Sequence, residues 1–90
     1  MVDEMYVGDK RFIGLRSGME NMGGKVVWDN AQKQATIDLN GKTTVVTMAD
    51  ENAVFNGQVV TLSAAPMLHD GTLYVPEDFF GSVMRTQLPF

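Results

Sequence analysis

Cysteine is absent from these 90 residues. No disulfide can brace the fold, no thiolate can hold zinc, and no cysteine nucleophile exists. Histidine occurs once, as His69, too few for a histidine-based metal centre and a slender basis for a catalytic triad. Basic residues are also sparse: seven Lys and Arg stand against eleven Asp and Glu, a formal net charge of −4. They are scattered from Lys10 and Arg11 to Arg85, so no cluster is ready for phosphates and nucleic acid is not expected as a partner. No apolar run approaches the ~20 residues that span a bilayer. Met1-Val2-Asp3-Glu4 is acidic where a signal peptide needs positive charge. No serine lies in a Gly-x-Ser-x-Gly context, and Gly23-Gly24 is placed to close a helix rather than to open one around a phosphate.

The chain nonetheless has the means to fold. It is 44% hydrophobic and 20% charged, which is globular composition and excludes disorder. Its length fits one domain over residues 1–90, expected to be a piece of a larger protein. A chain of this size buries roughly 60–65% of its unfolded surface, so its stability margin is thin.

Two passages carry a short strand straight into a short helix. Arg11-Phe12-Ile13-Gly14-Leu15 leads into a stripe of Leu15, Met19 and Met22 at helical spacing, and Gly23-Gly24 ends it. Leu73-Tyr74-Val75 leads into Pro76, which suits a first helical position, with Glu77 and Asp78 expected in the first turn. Phe79 with Val83, and Phe80 with Met84, then form pairs on the buried side.

Between these passages the period falls to two. Val26 and Trp28 share one face of a strand, and Ala35, Ile37 and Leu39 share one face of the next. Thr44, Val46 and Met48 follow on the return strand. Asn40-Gly41, Asn56-Gly57 and Asp70-Gly71 are hairpin turns, because a type I′ turn needs positive φ at both central residues. The expected class is α+β: an antiparallel β-sheet built from hairpins with two short helices.

The ordered set Ile13-Gly14-Leu15-Arg16, Gly23-Gly24-Lys25-Val26-Val27-Trp28-Asp29, Asn40-Gly41-Lys42, Phe55-Asn56-Gly57, Ala65-Pro66, Asp70-Gly71 and Tyr74-Val75-Pro76 resembles the copper amine oxidase N-terminal-like domain, or stalk domain. The likeness runs from about Phe12 to Met84. Gly14 stands where that family usually has Pro, and Glu77-Asp78 replaces its usual Leu-Arg. The resemblance implies an accessory module of Gram-positive bacterial surface proteins, extracellular or cell wall-associated. Copper and quinone chemistry belongs to another domain of the amine oxidases, so the resemblance carries over no catalytic, metal or cofactor residue.

Candidate chemistry in the residues is thin. His69 beside Asp70, near Glu77 and Asp78, can be drawn as a metal or acid/base site, but a turn-surface histidine explains it as well. Met19 and Met22, with Met5, invite a copper(I) thioether reading that the helical stripe already accounts for as core. Asp29, Asp38, Asp50 and Glu51 could pair for glycoside hydrolysis, yet acids on outer strand faces are ordinary. Trp28, Tyr6 and Tyr74 are the aromatic candidates for stacking a glycan, although alternation with Val26 favours burial of Trp28. The expected function is a non-catalytic extracytoplasmic spacer or protein-interaction module of the cell envelope. The alternative is a peptidoglycan- or glycan-binding module, and a small hydrolase comes last. Expected partners are neighbouring domains or envelope components, with self-association through a sheet edge in which Leu88 and Phe90 pack on the sheet or on a neighbour.

Overall fold

The computed structural model describes residues 3–83, and the expectations for Met84, Leu88 and Phe90 fall outside them. Nine strands run in chain order: β1 (Glu4–Val7), β2 (Lys10–Gly14), β3 (Lys25–Asp29), β4 (Gln34–Leu39), β5 (Lys42–Thr47), β6 (Asn52–Phe55), β7 (Gln58–Thr61), β8 (Met67–His69) and β9 (Thr72–Pro76). One α-helix, α1 (Leu15–Asn21), separates β2 from β3, and a π-helical turn spans Phe79–Val83. The α+β class holds, but the single sheet expected from the hairpins resolves into two. One has the order β1-β2-β9-β8 and the other is the meander β3-β4-β5-β6-β7. The division follows the breaks in hairpin succession. Helix α1 intervenes after β2, and the stretch around Pro66 intervenes after β7.

The turns form as their residues dictate. Asn40 and Gly41, Asn56 and Gly57, and Asp70 and Gly71 all have positive φ, so each pair makes a two-residue type I′ connection whose twist matches its strands. At the end of α1, Gly23 takes φ +86. Its N–H donates to the Glu20 carbonyl at 3.2 Å and that of Gly24 donates to Met19 at 2.8 Å, which is the Schellman pair of bonds.

The core lies where both sheets meet α1. Ile13, Leu15, Met19, Ala35, Ile37, Val46, Val75, Phe79 and Phe80 form one buried cluster. The helical stripe enters it through Leu15 and Met19, while Met22 packs at its margin. Alternation along β4 buries Ala35, Ile37 and Leu39 as expected.

The second strand-to-helix passage departs from expectation. Pro76 does not begin a helix but ends β9, opposite Phe12. The ladder continues one residue further, because the N–H of Glu77 donates to the Arg11 carbonyl at 3.0 Å. Glu77 is held there by its side chain as well. Arg11 donates to Glu77 and to Glu4, each at 2.7 Å, and these bonds, Glu77 first, hold the guanidinium above its ordinary pKa. The chain then turns with a wide pitch that buries both Phe79 and Phe80, their rings edge to face at 5.3 Å. The side chain of Val83 and all of Met84, expected to pair with these rings, are outside the described set.

Two departures from the family pattern have local causes. Gly14 donates its N–H to the Asp3 carbonyl at 2.8 Å, and a Cβ there would come within 2.8 Å of that of Asp3. Proline would lose the bond and meet the clash. Asp78 accepts from Ser63 Oγ at 2.6 Å, and Ser63 in turn accepts from Lys10.

Thr44 is fully buried on the inner face of β5, and its Oγ1 has no hydrogen-bond partner among the described residues. Thr44→Val should therefore raise stability by about 1 kcal/mol, read as a melting temperature higher by roughly 4–8 °C. Gly18 gives the opposite expectation, since a Cβ there would meet Ile13 at 3.2 Å and Phe80 at 3.3 Å. Gly18→Leu should cost about 1–3 kcal/mol by overpacking. Gly81→Leu, whose Cβ would meet no atom of the described residues within 4 Å, should cost less in the same melts.

Candidate functional site

The sequence candidates do not converge. By strand pairing, Tyr6 and Tyr74 lie on opposite faces of the first sheet: Tyr6 aligns with Arg11, whereas Tyr74 aligns with Gly14, three residues on. Tyr6 is 60% exposed on the edge strand β1. Tyr74 is half-buried, 6.4 Å from His69 in a tilted ring pair. Trp28 belongs to the other sheet. These three aromatics therefore make no common stacking platform.

His69 is exposed at the end of β8, with its Nε2 3.4 Å from Asp70. Among the described residues, no three His, Cys, Asp or Glu side chains gather where a metal could sit. Three of the four acids proposed for glycoside cleavage hold turns and strands, while among the described residues the exposed Glu51 accepts only through its backbone carbonyl. Asp29 accepts from the N–H groups of Ala31 and Gln32, Asp50 from that of Asn52, and Asp38 from the Thr43 hydroxyl. Met19 is fully buried in the core, which removes it from the surface at which a copper ion could be exchanged.

Trp28 lines a concavity. It is half-buried rather than fully enclosed, packed on the margin of the core. The groove it lines has a volume of about 380 Å³, within the range of ligand-sized clefts. Its apolar floor includes Leu15, Val26, Trp28 and Leu73, and Asp3, Arg16, Ser17 and Glu20 supply polar groups. Arg16 and Glu20 face each other one helical turn apart at 3.9 Å. Ser17 Oγ accepts from the Asp3 N–H at 3.0 Å, which ties the start of β1 to the helix.

The groove runs between α1 and two sheet edges that carry no further strand among the described residues, β3 in one sheet and β8 in the other. Their unpaired backbone groups can be assigned by counting. In a two-residue hairpin the closing residues, Leu39 and Lys42, exchange both hydrogen bonds. Along β4, the backbone groups of Asp38, Thr36 and Gln34 therefore turn toward β3. Their partners Lys25, Val27 and Asp29 are engaged, and the N–H and C=O groups of Val26 and Trp28 point outward. The same count from His69 and Thr72 leaves those of Leu68 outward on β8. Val26, Trp28 and Leu68, whose outward backbone groups have no strand partner among the described residues, all line the groove.

Sequence reading named Trp28 but missed the rest of the groove. The Arg16/Glu20 spacing on the outer side of α1 was a visible signal. The roles of Asp3 and Leu68 depend on the pairing of distant strands and left no local trace.

The sequence matches the family described as copper amine oxidase N-terminal domain over residues 2–89, and the chain belongs to that family, whose N-terminal domain is non-catalytic. No curated protein matches the chain.

Proposed function

We propose that this domain is a protein-interaction module of the bacterial cell envelope that holds an extended segment of a neighbouring protein along β3. The observation carrying this reading is the coincidence, at Val26 and Trp28, of outward backbone groups with groove-lining side chains. An added strand would gain main-chain hydrogen bonds from the edge and place alternate side chains in the groove, the usual division between affinity and specificity in strand addition. The groove's floor favours an aliphatic or aromatic side chain, and Arg16, Glu20 and Asp3 favour polar neighbours. The extracytoplasmic setting is carried over from the family resemblance alone.

A glycan-binding role is the second reading. It is favoured by the partial exposure of Trp28 beside polar groups in one cleft, but it draws nothing from Tyr6 or Tyr74.

Trp28 is the single tryptophan, so its emission reports on the groove directly. Titration with synthetic eight-residue peptides that alternate leucine or valine with threonine or lysine should give a saturable spectral shift. Val26→Pro removes an outward donor while leaving the pairing to β4, a placement tolerated on edge strands, and should abolish the shift in a protein with unchanged circular dichroism. Retention on insoluble peptidoglycan that survives Val26→Pro but is lost in folded Trp28→Ala would overturn strand addition in favour of glycan binding.

A further inference from the structure

The opposite edge of the larger sheet has a different character. Strand β7 reads Gln58-Val59-Val60-Thr61, without a charged residue or a proline. Natural edges are usually guarded by such residues against pairing with another chain. The other edges are charged or short, which restricts them to matching partners: Glu4 stands in β1, Lys25 and Asp29 flank the groove residues of β3, and β8 has three residues between Pro66 and Asp70. Val59 is 71% exposed, the most exposed of the large hydrophobic residues described.

Val59 also ends a row. Across the outer face of the sheet, Val27 aligns with Thr36, Thr36 with Val45, Val45 with Val54, and Val54 with Val59. One β-branched residue from each strand thus forms an uncharged stripe from edge to edge. The Asn56-Gly57 turn fixes the backbone direction at its end. Phe55 and Gln58 close the hairpin and exchange both bonds, so the N–H and C=O groups of Val59 and Thr61 point away from β6.

We propose that β7 pairs antiparallel with β7 of a second copy about a two-fold axis centred on Val59. Three features favour a second copy over another extended chain. The centring sets Val59 against Val59 of the other copy on the same face, so the stripe continues unbroken from one sheet into the next. It places Thr61 opposite Gly57, so no side chain is crowded and no charge is buried along the seam. It also matches the charges at the two ends of the strand. Lys42 lies at the turn end, its Nζ 6.0 Å from the Phe55 ring. Asp50 and Glu51 are exposed at the other end, where the Glu51 carbonyl accepts from Leu62. Antiparallel pairing brings the basic end of each copy to the acidic end of its mate. A seam one short strand long falls below the ~1,200 Å² typical of stable complexes, so the dimer forms reversibly and only at high protein concentration. This association uses the edge remote from the Trp28 groove and is independent of the β3 reading.

Absence of native cysteine allows a clean trap. Directly paired residues in a hydrogen-bonded antiparallel position have Cα atoms about 5.5 Å apart, within disulfide range. Under mild oxidation Val59→Cys should give a covalent dimer in high yield. Thr61→Cys, whose two copies would lie about 13 Å apart at strand spacing, should not. Light scattering of the unmodified protein over a concentration series should show a monomer–dimer equilibrium, lost in folded Val59→Lys and kept in folded Val27→Lys. Equal cross-linking of the two cysteine variants, a dimer that persists in Val59→Lys, or a monomer throughout the series would overturn the proposal.

Discussion

The close seating of α1 on the two sheets sets the position of both sheets and of the groove between them. Gly18 permits it, because its missing side chain is the space in which Ile13 and Phe80 approach the helix. From that contact the core extends through Met19 and Leu15 into Ile37 and Val46 of one sheet and Val75 of the other. No disulfide supplements this packing, as the chain has no cysteine. The two sheets are joined in one core chiefly by apolar burial around a short helix, with backbone links such as Ala49 N–H to the Pro66 carbonyl at 2.8 Å. The groove is the outer margin of the same arrangement: Leu15 and Trp28 line it as the core thins toward the free edges of β3 and β8.

Local chemistry made much of this fold legible. Asn40-Gly41, Asn56-Gly57 and Asp70-Gly71 could form little else than tight hairpin turns, and alternation along Ala35, Ile37 and Leu39 named the buried face before any pairing was known. Gly23-Gly24 marked the end of α1 for the same reason, a conformation cheap only for glycine. What stayed hidden depended on partners distant in sequence. Pro76 is as compatible with the end of a strand as with the start of a helix, and pairing with Phe12 decided between them. The division into two sheets follows from which strands pair with β9, a choice no single segment contains. Trp28 read as buried because it alternates with Val26, yet its strand is an edge, and edges leave inward side chains half open.

Spent side chains set the functional logic. Asp29, Asp38 and Asp50 are held in turns and strand pairs, and Glu77 is committed to Arg11. What remains available is backbone: the outward groups of Val26 and Trp28 at one edge of the larger sheet, and those of Val59 and Thr61 at the other. Both proposed associations use these edges, and the family's N-terminal domain is non-catalytic. The charged edge, β3, sits beside a groove, whereas the uncharged edge, β7, ends a stripe of β-branched residues.

If β3 is an open edge whose available donors belong to Val26 and Trp28, amide hydrogen exchange measured residue by residue will alternate along the strand. Val27 and Asp29, bonded to β4, should exchange slowly, and Val26 and Trp28 fast. Protection at Val26 and Trp28 equal to that at Val27 in the free monomer would mean that the edge is already occupied and that no strand can add there.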